Sequence, residues 1–307
     1  MYNRMLVPLD GSEIAEVVFP YAEELAGRLD LEVVLLHANS SEERGFTAMQ
    51  RVYVEWAAAI VRHQSREVQE RTGIQPGGKA VEVRVELVVG DPAEQILRYA
   101  DESEIDLILM ATHGRSGIRR WAIGSVVDKV LRASRVPILL VRAGIPEEVV
   151  HDEWSRRTML VPLDGSMLAE SVLPHVKALA KQRGVGLMDV VPLWVCQPPV
   201  ISSDYPADMP LSWEEHVRWV TTHSKQVEEQ YLTGVQKRLE GAGLKVRSEV
   251  LMGKAADEIV DYADRNPLNL IVMATHGYSG LSRWECGSVA DKVLHAVSSP
   301  IFVVRPH

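Results

Sequence analysis

The sequence predicts two tandem α/β domains, each with a five-stranded parallel sheet flanked by helices. Three observations support this prediction: the chain is 307 residues long, its motifs occur twice, and apolar strands alternate with amphipathic helices. A chain of this length accommodates two domains of about 150 residues. Hydrophobic residues make up 46% of the chain and charged residues 24%, so each half can form its own core.

The repeat is visible in two pairs of motifs. RMLVPLDGS at Arg4–Ser12 returns as TMLVPLDGS at Thr158–Ser166, an offset of 154 residues. MATHGRSGIRRWAIGS at Met110–Ser125 returns as MATHGYSGLSRWECGS at Met273–Ser288, an offset of 163 residues. The difference between these offsets indicates that the second copy has nine additional residues between the two motifs.

The sequence pattern in the first half of each copy predicts three strands and two helices. In copy one, a short apolar strand around Met5–Pro8 ends at LDGS, whose Asp and Ser can cap the following helix over Ile14–Leu29. The apolar run Leu31–Ala38 predicts the second strand. A long helix over Thr47–Thr72 is expected to end at the following Gly-Gly pair, and AVEVRVELVV at Ala80–Val89 alternates as a strand does.

The second half of each copy predicts two more strands and two more helices. Pro92 opens a helix, and the continuous apolar run Ile105–Ala111 is typical of a strand buried on both faces. GSVVDKVLRAS at Gly124–Ser134 predicts a helix, and VPILLVR at Val136–Arg142 predicts the last strand. Strands and helices that alternate at this spacing indicate a parallel sheet with right-handed crossovers. Ligands of such sheets bind at the carboxyl ends of the strands.

The domain boundaries are predicted from an acidic stretch without periodicity that begins with Gly-Ile-Pro. We expect domain one at 1–144, a linker at 145–156 and domain two at 157–307. A second irregular stretch, Cys196–Glu215, is rich in proline. It is either a lid over the second site or a surface excursion.

Composition excludes several classes of function. A net charge of −9 disfavours broad contact with nucleic acid or anionic lipid. The two cysteines give no disulfide framework or zinc motif. The sequence has neither a signal-like start nor a run of eighteen apolar residues, so we expect a cytoplasmic protein that is neither secreted nor membrane-spanning.

The repeated Gly-Ser pair that opens a helix suggests a phosphate site. A helix start offers unpaired N–H donors and the positive end of a dipole, and glycine allows close approach. The alternative needs no ligand: Ser125 with Asp128, and Ser288 with Asp291, match the pattern of a capping box.

With these motifs, both halves resemble the universal stress protein family, whose ATP-binding members carry G-x-x-G, nine residues and then G-S/T. Copy one has ATHG, RSGIRRWAI, GS, and copy two has ATHG, YSGLSRWEC, GS. The resemblance implies Rossmann-like domains of the adenine nucleotide alpha hydrolase type. In both copies the first glycine of the motif is alanine, Ala111 and Ala274. Its methyl group is harmless in a strand conformation and crowds the ligand if φ is positive.

The resemblance also implies site residues in each copy. His113 and His276 either contact phosphate or hold the loop through backbone hydrogen bonds. In copy one, the implied adenine neighbours are Asp10, Ala38 and Met110, and the implied ribose and phosphate contacts are Gly114, Gly124, Ser125 and Val126, with Ala111 and His113 in the same loop. In copy two, the corresponding residues are Asp164, Val195, Met273, Gly277, Gly287, Ser288 and Val289, with Ala274 and His276.

Three functions are compatible with this sequence. The first is a regulatory protein that binds ATP, ADP or AMP, with or without Mg²⁺; the second is a nucleotide-free interaction scaffold; the third is a slow ATP hydrolase. The sequence has no P-loop, HExxH or GxSxG motif, so no catalytic or metal-binding residue is assigned and an enzyme is not expected. The resemblance implies that the terminal strands Val136–Arg142 and Ser299–Arg305 pair the halves as a pseudo-dimer, and homodimers are compatible with it.

Overall fold

The computed structural model describes residues 1–40, 48–73, 81–112, 123–142, 158–182, 188–197, 213–266, 268–276 and 287–306. The predicted linker and its boundaries, and most of the proline-rich stretch after Cys196, lie outside these residues, so they remain predictions. Within them the chain forms two successive sets of strands and helices. No helix in these ranges is long and apolar enough to cross a membrane.

The first copy follows the predicted order of elements, with one correction. The predicted first helix is split into a 3-10 turn and an α-helix, because Pro20 has no N–H to continue the hydrogen-bond ladder. The long helix ends at Thr72, as predicted, and Gly73 after it takes φ +66°; the Gly-Gly pair lies outside the described residues. The elements are β1 Arg4–Pro8, the 3-10 turn Ala15–Val18, α1 Phe19–Leu29, β2 Glu32–Asn39, α2 Ala48–Thr72, β3 Val83–Val89, α3 Pro92–Glu102, β4 Leu107–Ala111, α4 Ser125–Ala133 and β5 Ile138–Val141.

The second copy repeats this order, with its third strand divided into two short pieces. Both pieces pair with the preceding long strand. The elements are β6 Thr158–Pro162, α5 Met167–Glu170, α6 Leu173–Gln182, β7 Asp189–Cys196, α7 Trp213–Glu240, β8 Lys245–Val246, β9 Glu249–Met252, α8 Ala255–Arg265, β10 Leu270–Ala274, α9 Ser288–Ala296 and β11 Ile301–Val304.

The strands join into one sheet that runs through both copies. Its order is β3-β2-β1-β4-β5-β11-β10-β6-β7-β8, with β9 also on β7. All neighbours are parallel except β5 and β11, which pair antiparallel with Phe302 opposite Leu139. The two parallel halves therefore meet at their last strands and share a continuous ladder.

The core has one layer on each face of this sheet, because successive strand residues point to opposite sides. Met5 and Val7 of β1 belong to the layer packed by α1, α2, α6 and α7. Leu6 lies in the opposite layer with residues of α3, α4, α8 and α9. Both layers include residues of both copies, such as Leu139 and Met159 in the first. The sheet is thus covered by helices on both faces, as predicted.

Two arginines at the junction reach across to the other copy. The Arg142 guanidinium, after β5, donates to the Leu294 carbonyl near the C-terminal end of α9, and Arg305, after β11, donates to the Arg132 carbonyl near the end of α4. Burial lowers the pKa of Arg142. Cationic donors near helix C-termini satisfy carbonyls that have no intrahelical partner and complement the helix dipole.

We predict that Arg142→Met lowers the free energy of unfolding by about 1–3 kcal/mol, since a buried carbonyl loses its charged donor. The matched control is Arg66→Met, which removes an exposed pair with Glu70 and should cost less than about 0.5 kcal/mol. Urea denaturation measures both. Equal effects for the two variants would contradict the proposed role of Arg142.

A partly buried pair of aromatic rings also joins the copies. The Tyr2 hydroxyl lies 2.6 Å from Nδ1 of His175, and both rings pack against Phe302. Burial, and then the charge of Asp106, raises the pKa of Tyr2, so its hydroxyl is the donor. Burial lowers the pKa of His175, which keeps the imidazole neutral and able to accept.

This pair predicts a pH dependence of stability. The pKa of His175 in the folded state lies below its unfolded value of about 6.5. Its contribution is therefore complete above pH 6.5 and is lost as pH falls from 6.5 through the folded pKa, with a slope of at most about 1.4 kcal/mol per pH unit. His175→Asn keeps an acceptor near the Nδ1 position but does not titrate. Urea unfolding at several pH values between 7.5 and 5 should show a shallower loss for this variant, and identical slopes would refute the assignment.

Candidate functional site

Each copy has a cavity at the carboxyl ends of its strands. The first encloses about 130 Å³ and the second about 590 Å³. Small-molecule pockets generally span about 300–1,000 Å³, so the second cavity falls in that range. The first is lined by Pro8, Leu9, Asp10, Ala15, Leu36, Ala38, Pro92, Ile96, Met110, Ala111, Val126 and Val127. The lining of the second includes Asp164, Trp194, Val195, Gln197, Glu228, Met273, Ala274, His276, Gly287, Ser288, Val289 and Ala290.

The first wall of each cavity is the loop after the first strand of its copy. Oδ1 of Asp164 accepts from the backbone N–H of Ser166 at 3.0 Å and from its hydroxyl at 2.6 Å. The same hydroxyl oxygen accepts from the N–H of Ala169 and caps α5, as the sequence predicted. Asp10 and Ser12 form the same turn in copy one. The Asp-Gly-Ser motif therefore builds a fixed turn at the edge of each cavity.

The opposite wall is the start of a helix held against a strand end. The N–H of Gly124 donates to the Thr112 carbonyl at 2.9 Å, and that of Gly287 donates to the Thr275 carbonyl at 2.8 Å. A β-carbon at Gly124 would lie 3.3 Å from the Thr112 carbonyl oxygen, and one at Gly287 would lie 3.1 Å from that of Thr275. Glycine thus lets the helix start approach its strand closely.

The start of α9 has backbone N–H groups without a partner within the helix, and their residues line the second cavity. Gly287 is the N-cap of α9, and its carbonyl accepts from Asp291. The next three N–H groups have no partner within the helix. They belong to Ser288, Val289 and Ala290, which all line the cavity. This arrangement of donors at the positive end of a helix suits an anion.

The capping-box alternative is wrong. Ser125 and Ser288 are the first residues inside their helices, because the N-caps are Gly124 and Gly287. A capping box requires the serine itself at the N-cap. The carboxylate of Asp128 instead accepts from Nε of Arg132 at 2.9 and 3.0 Å.

The two alanines that replace the first motif glycine have ordinary backbones. Ala111 ends β4 and Ala274 ends β10, and neither has positive φ. Both line their cavities. Both alanines therefore have a strand conformation, which does not require glycine.

Most of the predicted site residues lie at the two cavities. Gly124 and Ser125 do not line the first one, whereas Gly287 and Ser288 line the second. His113, Gly114 and Gly277 lie outside the described residues, so their roles remain predictions. The predicted residues that line a cavity are Asp10, Ala38, Met110, Ala111, Val126, Asp164, Val195, Met273, Ala274, His276, Gly287, Ser288 and Val289.

His276 faces the second cavity beside the helix start. Its Nδ1 lies 2.9 Å from the Thr275 hydroxyl, while its Nε2 is buried and has no hydrogen-bond partner within the described chain. Because a buried polar atom without a partner costs free energy, this ring nitrogen favours a ligand that supplies a hydrogen-bond acceptor or donor to it.

Among the residues of the second cavity that sequence reasoning missed are Trp194, Gln197 and Glu228. The Trp194 ring packs edge-on against Tyr231 with centroids 5.3 Å apart. Glu228 could have been found, because it carries a charge on the apolar stripe of α7, four residues before the buried Leu232. The described residues contain no cluster of three or more His, Cys, Asp or Glu side chains placed to hold a metal ion.

We predict that the main role of Asp164 at the cavity is to stabilise the Asp-Gly-Ser turn through its hydrogen bonds. Asp164→Asn keeps the accepting oxygen and should leave the thermal midpoint nearly unchanged, whereas Asp164→Ala removes two hydrogen bonds and should cost about 1–2 kcal/mol. Thermal and urea unfolding check this, with Asp10→Ala and Asp10→Asn as the matched pair in copy one. A loss as large for asparagine as for alanine would show that charge, and not the turn, is what matters.

Comparison with known proteins places both copies in one family. The family model described as "Universal stress protein family" matches residues 1–142 and 155–305. A universal stress protein of Mycolicibacterium smegmatis is 24% identical over 98% of this chain and 97% of its own length. Universal stress protein YxiE of Bacillus subtilis is 28% identical over 46% of this chain and its entire length. A solved protein of Pseudomonas aeruginosa, of unknown function by its own description, shares the fold with a TM-score of 0.68 and 16% identity, covering 99% of this chain and 93% of its own.

Proposed function

Because this chain belongs to the universal stress protein family, we propose that it binds an adenine nucleotide and acts as a regulatory module. The observation that carries the proposal is the second cavity, whose volume of about 590 Å³ lies in the range of ligand pockets and whose lining includes the three residues that follow the N-cap of α9. The proposal includes the domain limits predicted from the sequence, 1–144 and 157–307, and the site residues named there.

The phosphate end of the ligand is assigned to the start of α9. The N–H groups of Ser288 and Val289 and the positive end of the helix dipole stabilise negative charge there. The Ser288 hydroxyl, which does not cap the helix, offers a further donor. His276 Nε2 lies at the same end and is without a partner in the described part of the chain.

The base end is assigned to the tips of β6 and β7. Val195 and Met273 give apolar contact, and Trp194 adds an aromatic wall that the first copy lacks at the corresponding position, His37. The His37 ring is engaged elsewhere, with Nδ1 2.9 Å from the Leu9 carbonyl oxygen. Apolar walls with a few fixed polar groups are typical of nucleotide and cofactor pockets.

We propose that the second domain binds the nucleotide more tightly than the first. The first cavity, at about 130 Å³, is below the usual volume of a ligand pocket, and Gly124 and Ser125 do not line it. Binding there requires the walls to move apart, which costs free energy that the second cavity does not require.

The regulatory assignment is preferred to an enzyme because the described residues contain no cluster of three or more His, Cys, Asp or Glu side chains placed to hold a metal ion. A slow hydrolase would release phosphate continuously, and a nucleotide-free scaffold would bind no nucleotide. Acid quenching followed by ion-pair chromatography identifies any nucleotide that copurifies. Calorimetry with AMP, ADP and ATP, each with and without Mg²⁺, measures affinity.

The sharpest test is Ser288→Pro. Proline is tolerated at the first helical position, and the ψ of 145° at Gly287 suits a residue before proline, so α9 should form normally while one N–H is lost. We expect nucleotide affinity to fall at least about 10-fold, as expected for a charged hydrogen bond. Ser288→Ala removes only the hydroxyl and should have a smaller effect.

Ser125→Pro is the matched control in the first domain, and it should change the affinity of the tighter site little. The proposal fails if the unmodified protein binds no adenine nucleotide at millimolar concentration. It also fails in its placement of the phosphate if Ser288→Pro binds as tightly as the parent.

A further inference from the structure

The second cavity contains a carboxyl group that the first copy lacks. Glu228 of α7 lines the cavity, and its Oε2 is buried with no hydrogen-bond partner among the described residues. The next residue on the helix has a different environment: Glu229 is exposed and forms an ion pair with Lys225 at 3.7 Å. Burying an acceptor without a donor costs free energy, so an unpartnered carboxylate oxygen at a ligand cavity favours a ligand that supplies the donor.

The corresponding position in copy one carries no carboxyl group. In α7 the buried residues are Leu232, Val235 and Leu239, and the same spacing of buried residues occurs twice in α2, at Val54, Ala57 and Val61 and at Ala58, Val61 and Ser65. The residue four places before is Glu228 in α7, and it is Gln50 or Val54 in α2. Neither of these two residues is an acid, so only the copy with the large cavity has a carboxyl group at this place.

Glu228 is next to the tip of β7, away from the phosphate end. It lies beside the thiol of Cys196, the last residue of β7, where burial and then this carboxylate raise the pKa of Cys196 to about 11. Gly287, in contrast, is bonded to Thr275 just beyond β10. β6 lies between β7 and β10, and strand spacing puts their ends about 10 Å apart. A carboxylate would repel phosphate, so the two ends of the cavity suit opposite ends of a nucleotide.

We infer that Glu228 is a specificity residue that accepts a hydrogen bond from the 6-amino group of the bound purine. This inference rests on the proposed function and deepens it. Adenine carries a donor at position 6, whereas hypoxanthine and guanine carry a carbonyl oxygen there, which a carboxylate repels. The second site should therefore discriminate against bases without the amino group, and the first site, with Gln50 or Val54 at this place, has no such carboxylate from its long helix.

The test compares AMP with purine riboside 5′-monophosphate, which lacks only the 6-amino group. Calorimetry uses the full chain, Glu228→Val and the isosteric Glu228→Gln. The matched control is Glu229→Gln, on the same helix and outside the cavity lining. Thermal unfolding checks that each variant folds.

In the parent chain and in Glu229→Gln, we expect AMP to bind at least about 10-fold more tightly than the analogue, as a hydrogen bond to a charged group predicts. In Glu228→Val the ratio should fall to about 2-fold or less, with Glu228→Gln between the two. An unchanged ratio in Glu228→Val overturns the inference.

Two further outcomes are distinguishable. If GMP binds more tightly than AMP and loses that advantage in Glu228→Val, the carboxylate faces the N1–N2 edge of guanine, and the amino-group assignment is wrong. If neither AMP nor GMP binds the parent chain, the proposed function fails and this inference fails with it.

Discussion

Both sites depend on one backbone hydrogen bond. The N–H of an N-cap glycine donates to the carbonyl of the threonine that follows the fourth strand of its copy, Gly124 to Thr112 and Gly287 to Thr275. This bond fixes the helix start over the strand end, where residues of the first helical turn line the cavity. Because a β-carbon would crowd the same carbonyl, the position requires glycine for close packing and not for an unusual φ.

The joined sheet places the two cavities on one framework. Antiparallel pairing of β5 with β11 removes the exposed edges that two separate parallel sheets would have at these strands. Arg142 and Arg305 then bind carbonyl groups near the C-terminal ends of α9 and α4, the helices whose first turns line the two cavities. Each of these helices is therefore held at its start by its own copy and near its end by the other.

Much of the fold could be predicted from the sequence, because the motifs occur twice and strand and helix periods alternate clearly. The Asp-Gly-Ser turn also followed from the motifs, and most of the predicted site residues line a cavity. The sequence pattern alone gave a wrong alternative at the helix start. The Ser-x-x-Asp spacing matched a capping box, but the N-cap is the preceding glycine. The contrast between the two cavities was not predictable, since it arises from tertiary neighbours such as Trp194 and Glu228, which lie far apart in sequence.

The two copies thus share their backbone arrangement but differ in the residues that line their cavities. We propose that the second domain holds phosphate at the start of α9, and a crystal structure of the full chain with AMP is the decisive test. We expect phosphate oxygens within hydrogen-bond distance of the Ser288 and Val289 N–H groups, and the base beside Val195. Nucleotide density elsewhere on the chain, with those N–H groups facing only solvent, would contradict it.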